Sequence, residues 1–321
     1  MEPMLLKPVG KDYLWGGNRL KDEFNKVLQL SHLAETWECS THPDGPSAVA
    51  NGEFAGKTLV SVLQEHPEYL GTKVDKQYGL PILVKFIDAR KDLSIQVHPD
   101  NTFARQHEND FGKTEMWYML EAEDGASLVR GFAHDVSETL VRNAIEVGDL
   151  EKHLYKVPVH KGDTFFIPAG TVHGIGAGCL IAEIAESSNV TYRLYDYNRI
   201  DRNGKKRELH VDKALQVLNR KTGLCYTQRP RLVQYYPGYN RELLCRCSYF
   251  TVERIAVREK YQFMVDATSF KVLLCINGKG EVKTDVQATR LNLKKGDSLF
   301  FPAGMGNCIL TGECETLSVN V

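Results

Sequence analysis

From Leu80 onward, apolar and polar positions fall into short strand-like runs. LPILVKFID, LSIQV and EMWYMLEAEDGASLVRG come first, and YKVPV, DTFFIP and CLIAEIA follow after a break. Runs of this length, bounded by Gly, Pro and Asp, read as β-strands, and Asp124-Gly125 between two apolar runs is a hairpin signal. Three stretches keep a helical rhythm instead. KTLVSVLQEHPEYLG from Lys57 breaks at Pro67, HDVSETLVRNAIEVGDLEKHL from His134 carries an Asp135/Glu138 capping-box spacing, and ELHVDKALQVLN begins at Glu208. Beyond about Thr227 the chain reads as strands nearly to its end.

The strand pattern repeats. HKGDTFFIPAGTVHGI around Gly162 returns as KKGDSLFFPAGMGNCI around Gly296, 134 residues later. EMWYMLEAEDGASLV matches FKVLLCINGKGEVKT more loosely. Two copies of a Gly/Pro-punctuated antiparallel unit predict a mainly β chain of two tandem jelly-roll barrels, with helical insertions in and around the N-terminal half. The expected division is 1–228 and 229–321. The copies differ where chemistry would sit. His173 aligns with Asn307, and the second copy has no Gln-x-His or Glu equivalent, so only the first is expected to hold a metal.

Composition narrows the function classes. Lys plus Arg total 40 against 41 Asp plus Glu, which leaves no global field for nucleic acid or a membrane surface. An anionic ligand must then be met by a few placed cations. The opening apolar stretch is too short for a signal peptide or a membrane span, so a cytosolic location is expected. The eight cysteines are scattered, and Cys179, Cys275 and Cys308 lie in apolar runs, as expected of free thiols rather than a disulfide framework. Cys245 and Cys247, one residue apart, would point the same way along a strand and read as packing residues.

Four side chains form a candidate metal set: Gln96, His98, Glu115 and His173. Gln96 and His98 are two apart on a strand and so face one side. Glu115 opens the strand MWYML, and His173 follows the Pro-Ala-Gly turn, both at the mouth of a small barrel. Two imidazoles, a carboxylate and an amide suit Zn²⁺ at roughly 2.0–2.2 Å, with room for water or substrate as a further ligand. Ser94 and Lys113 each lie two residues before a ligand and can share its face. Arg193 carries a planar fork suited to phosphate or an oxyanion. The plainer alternative pairs Arg193 with Asp196 and leaves Lys113 solvated. Glu183 stands alone in the apolar IAEIAE. Burial would raise its pKa toward a proton-transfer role, whereas a metal or Arg193 would lower it and make it a structural carboxylate.

The segments WGGNRL, AETWECSTHPDGPS, PILVKFIDARKDLSIQVHPDN, GKTEMWYML, GDTFFIPAGTVHGIG and NVTYRLYDYNR together resemble type I mannose-6-phosphate isomerases of the short bacterial form. The likeness runs from about Trp15 to Arg199, and the C-terminal repeat resembles that family's second cupin barrel. The resemblance implies a zinc enzyme interconverting mannose 6-phosphate and fructose 6-phosphate, one Zn²⁺ per chain held by Gln96, His98, Glu115 and His173. It implies Arg193 as the catalytic arginine, Glu183 as the carboxylate ten residues before it, and Ser94 and Lys113 on the sugar-phosphate pocket. Proton transfer through an enediol would fall to Glu183, with Lys113 as its rival. Where many relatives carry a Gln-rich run before TYR, this chain has Glu186-Ser187-Ser188-Asn189. A small sugar phosphate is the expected partner, with the chain a monomer or weak homo-oligomer. Two other classes compete: a non-catalytic sugar-phosphate-binding cupin, and a metal-dependent oxygenase on the same fold.

Overall fold

Runs such as ILVKFIDA do not alternate because both of their faces are covered. In a computed structural model, which describes residues 1–200, 204–225, 231–285 and 290–321, Ile82–Ala89, Glu115–Ala122 and Cys179–Glu186 lie side by side in a six-stranded sheet. Every residue of Ile82–Ala89 and of Cys179–Glu186 is buried. Val84, Phe86, Met116 and Ala182 pack with Val272, Leu274 and Leu317 of the C-terminal strands. Ile87, Trp117, Met119 and Ile181, on the opposite face, pack with Leu128 and Ile175. Truncating a side chain such as Phe86, which has no exposed surface, would cost about 3–5 kcal/mol.

The facing sheet has five strands among the described residues, in the order Tyr192–Tyr195, Ile95–Val97, His173–Ile175, Ser127–Phe132, Leu154–Pro158. Its register sets His173 opposite Gln96, and Gln96 opposite Arg193. Its outer face is covered by the helices Glu138–Val147 and Val211–Val217 through Val141, Ala144, Ala214 and Leu215. A ten-stranded sheet holds the C-terminal strands, from Val233–Tyr236 to Gly306–Asn320. It also holds Met4–Lys7, which pairs with Ser298–Phe301, and Ala48–Val49. A cut between 228 and 229 therefore divides a continuous sheet. The strand order is open in all three sheets, so pairing among the described residues closes no barrel.

The repeat survives bond by bond. Gly162 N donates to Met119 O and Met119 N to Asp163 O; Gly296 N donates to Cys275 O and Cys275 N to Asp297 O. Gly162 and Gly296 both take positive φ, 88° and 96°, which only glycine adopts without strain. This pairing aligns Glu115 with Lys271 rather than with Phe270. Asn307, the partner of His173 in the sequence repeat, is exposed, and Cys308 beside it is buried in the second core.

Local expectations fail in two places. Asp124-Gly125 makes no hairpin: Ala126 N closes a turn on Glu123 O, but the chain then leaves the six-stranded sheet for the five-stranded one. Turn chemistry reports the reversal and not which sheet receives the next strand. The helix after His134 is capped by Ser137, whose side chain accepts from Leu140 N, while Asp135 accepts from Thr222 N and Lys221 Nζ. The seven described cysteines are all free, as their scatter implied. No described helix is long and apolar enough to cross a membrane.

Candidate metal centre and its pocket

The two histidines are oriented from behind. His98 Nδ1 lies 2.7 Å from Val190 O, and His173 Nδ1 lies 2.9 Å from Thr171 O. Carbonyls only accept, so each Nδ1 carries the proton and each Nε2 turns a lone pair inward. Burial holds both imidazoles below their ordinary pKa, His173 at about 4, so both are neutral at pH 7.

Glu115 faces them from the opposite sheet. Its Oε1 is 3.3 Å from His173 Nε2, and its Oε2 is 3.7 Å from His98 Nε2. That Oε1 is buried and makes no hydrogen bond. Burial raises this carboxyl to about 7 even though Lys113 pulls it down. One donor atom from each of His98, Glu115 and His173 falls within 4.8 Å of the others. Gln96 brings its amide nitrogen 3.3 Å from His173 Nε2, with its oxygen accepting from Ser94 Oγ at 3.2 Å. Turning the amide over points the oxygen into the same space and leaves Ser94 as acceptor. An unpartnered carboxylate oxygen among neutral imidazole nitrogens fits a divalent cation of zinc type.

Behind this set runs a line of alternating buried charges. Lys113 bonds Glu115 Oε2 and lies 3.1 Å from Glu183 Oε1. Lys85 is 3.5 Å from the same Glu183 oxygen and 3.5 Å from Glu35 Oε2, which also accepts from Trp37 Nε1 at 2.8 Å. Burial alone would raise the Glu183 carboxyl, but Lys113 and Lys85 outweigh it and hold it at about 2. Burial alone would lower Lys85, and the surrounding carboxylates raise it instead. The question the sequence left open is thus answered downward, and by lysines. Arg193 does not meet Glu183 or Asp196: its Nε reaches Ser94 Oγ at 3.3 Å and its Nη1 the Glu208 carbonyl at 2.8 Å. Asp196 pairs with Arg199 and Arg207. Lys113 is buried rather than solvated.

These groups line a cavity of about 270 Å³ containing Ser94, Gln96, His98, Lys113, His173, Glu183 and Arg193. All eight residues proposed from sequence therefore converge, Glu115 as the carboxylate facing both histidines. Sequence reasoning missed Lys85, Glu35, Trp117, Asn189 and Arg207, which also line the cavity. Lys85 did carry a signal, since it is a lone cation inside the apolar run PILVKFI, as Glu183 is a lone carboxylate in its own. A larger concavity of about 1500 Å³ on the C-terminal sheet, beside Arg254, Lys279 and Glu313, contains none of this chemistry.

Comparison with known proteins gives this geometry a family. The family model for phosphomannose isomerase type I, catalytic domain, matches residues 4–125, and that for mannose-6-phosphate isomerase, cupin domain, matches 240–321. A mannose-6-phosphate isomerase of Streptococcus mutans is 35% identical over 317 residues, covering 99% of this chain and 98% of its own. This chain belongs to the type I phosphomannose isomerase family. Mannose-6-phosphate isomerase ManA of Bacillus subtilis is 33% identical, with 98% of each chain covered. The crystal structure of the mannose 6-phosphate isomerase from Bacillus subtilis superposes with a TM-score of 0.91 at 33% identity, over all of both chains. In this phosphomannose isomerase family member, the cupin-domain match falls on the copy that lacks the candidate ligands. Glu186-Ser187-Ser188-Asn189 supplies part of the pocket wall through Asn189, whose amide donates to Asp44 at 2.8 Å.

Proposed function

We propose that this family member interconverts mannose 6-phosphate and fructose 6-phosphate, moving a proton between C2 and C1 through an enediol. The observation that carries the reading is the unpartnered Glu115 oxygen facing two neutral imidazoles in a cavity lined by four cations, Lys85, Lys113, Arg193 and Arg207. Gln96, His98, Glu115 and His173 would hold one Zn²⁺, which when bound polarises substrate oxygens as a Lewis acid. Arg193, held by Ser94 and the Glu208 carbonyl, offers a preset positive partner for charge that develops on those oxygens. Arg207 and Arg193 on the same wall suit the phosphate dianion.

A proton carrier works best when its pKa lies near the operating pH. A Glu183 carboxyl held at about 2 is a poor base, so its part in this reading is to place Lys113 and Lys85. Lys113, which lines the cavity between Glu115 and Glu183, is then the proton carrier at the reacting carbons. The first 228 residues would form the catalytic half and 229–321 a degenerate cupin half, tandem jelly rolls shaped by packing rather than closed by strand pairing, the second completed by Met4–Lys7 and Ala48–Val49. Stripping the protein with EDTA and restoring zinc, with fructose 6-phosphate formation followed by a coupled assay, tests the reading. Turnover should vanish and return. Binding without turnover would favour a sugar-phosphate-binding protein, and oxygen uptake an oxygenase.

A further inference from the structure

We propose that Cys245 and Cys247 form a peroxide-oxidisable dithiol, closing to an intrachain disulfide. Cys245 sits on the strand Tyr239–Arg246, buried in the core shared by the ten- and six-stranded sheets. Cys247 opens the turn that follows, where its N–H donates to Phe250 O at 3.0 Å, and it is only half-buried. The Cys245 thiol is placed to donate to Cys247 Sγ, which also accepts the Tyr249 N–H from 3.5 Å, while the Cys247 thiol itself donates to Phe250 O at 3.6 Å. These donors favour the thiolate. The Cys245 hydrogen bond, helped by the turn backbone, holds Cys247 down at about 7, against burial and the Glu186 charge across the seam, which both push it up. Cys39, Cys179, Cys275, Cys308 and Cys314 are buried, and burial raises each of them. A reachable thiolate with a second thiol beside it is the arrangement that oxidants select.

Residues i and i+2 of an extended chain are roughly 6.6–6.8 Å apart at Cα, the upper end of what a disulfide spans. Cys247 lies past the strand end, so the turn can supply the small approach. The thiolate sulfur of Cys247 attacks hydrogen peroxide, the O–O bond breaks, and hydroxide leaves and takes up a proton, giving the sulfenic acid and water. The Cys245 sulfur then attacks that sulfur, the S–S bond forms, the S–O bond breaks, and a second water leaves with the thiol proton. Two thiols are oxidised, and one peroxide is reduced to two waters.

The test uses the intact, zinc-loaded protein treated with hydrogen peroxide, alkylated with iodoacetamide and digested with trypsin without reductant. Trypsin cleaves after Arg241, Arg246 and Arg254, so the disulfide appears as peptide 242–246 joined to 247–254, two hydrogens lighter than the reduced pair and separated by dithiothreitol. In Cys245→Ser, dimedone should label Cys247. In Cys247→Ser, neither the joined peptides nor a dimedone adduct should form. Recovery of both peptides separately alkylated, while methionines elsewhere oxidise, would overturn the proposal. So would a bridge from Cys247 to Cys225.

Discussion

Lys85 Nζ lies 3.5 Å from Glu183 Oε1, across a register pair that joins the strands Ile82–Ala89 and Cys179–Glu186. Lys113 approaches the same oxygen to 3.1 Å, so one buried carboxylate separates two buried ammonium groups. Charges taken out of water are tolerated only when each is met by its neighbours, and removing one partner costs about 3–5 kcal/mol. Glu183→Gln should therefore lower thermal stability by about that amount. The same variant should reduce kcat by roughly 10²–10⁴-fold, the range of a misplaced acid–base group, with metal content kept at one ion per chain. Full turnover in this variant would remove Glu183 from the site's machinery.

Metal affinity should depend on pH through Glu115 rather than through the histidines. The Glu115 carboxyl is raised to about 7, chiefly by burial, whereas His173 sits at about 4 and His98 lies well below its ordinary value. Between pH 5 and 7 His173 is already neutral and burial holds His98 well below its ordinary value, so one carboxyl proton competes with the ion. The association constant should rise about tenfold per pH unit in that window and flatten above it. The sign carries into stability. A raised carboxyl favours the metal-free fold below the unfolded value of about 4.5 and loses that contribution as pH rises through 7. The thermal shift produced by metal should therefore be larger at pH 8 than at pH 5.5. Calorimetric titration at several pH values measures the slope, and a slope near two would implicate an imidazole.

The site was legible in sequence because its residues break local patterns. A histidine two residues from a glutamine on a strand, a glutamate in IAEIAE and an arginine after NVTY each stand out against their neighbours. Arg193's partners were not legible: Ser94 is 99 residues away, and the Glu208 carbonyl belongs to the backbone. Lys85 showed the same signature as Glu183, yet only register sets the two opposite each other, and only the folded chain brings Glu35 within 3.5 Å of that lysine. The Asp124-Gly125 turn misled for a related reason, since choice of sheet is decided by cores assembled far along the chain.

The paired glycines of WGGNR hold the pocket wall by their smallness. A Cβ on Gly16 would lie 2.6 Å from Ala34 Cα, and one on Gly17 would lie 2.2 Å from Asp88 Oδ2. Asp88 accepts from Arg19 N at 2.9 Å and Arg19 Nε at 2.7 Å, which fastens this loop to the six-stranded sheet. Trp15 before it lines the cavity. Gly16→Ala should cost about 1–3 kcal/mol by overpacking and raise KM for sugar phosphate more than it lowers kcat. Thermal melts with steady-state kinetics check this, and an unchanged KM would show that Trp15 keeps its place.

The second copy preserves the buried framework with its charges exchanged. Lys271 stands opposite Phe301 as Glu115 stands opposite Ile167, and Glu253 stands opposite Ser318 as Lys85 stands opposite Glu183. Arg241, bonded to Glu253 at 2.8 Å, holds the place of Glu35 beside Lys85. An ammonium at the carboxylate position repels a cation, and Lys271 is instead bonded to Ser318 Oγ at 3.1 Å. This half therefore has no reason to bind the ion or to turn over substrate. Lys271→Gln should leave metal content at one per chain and kcat/KM within about twofold, under about 0.5 kcal/mol of barrier. Glu115→Lys, which copies the second half's residue into the first, should abolish both metal binding and turnover. Metal analysis of the two purified variants beside the parent decides the matter, and a second ion bound by Lys271→Gln would show that the C-terminal half retains ligands of its own.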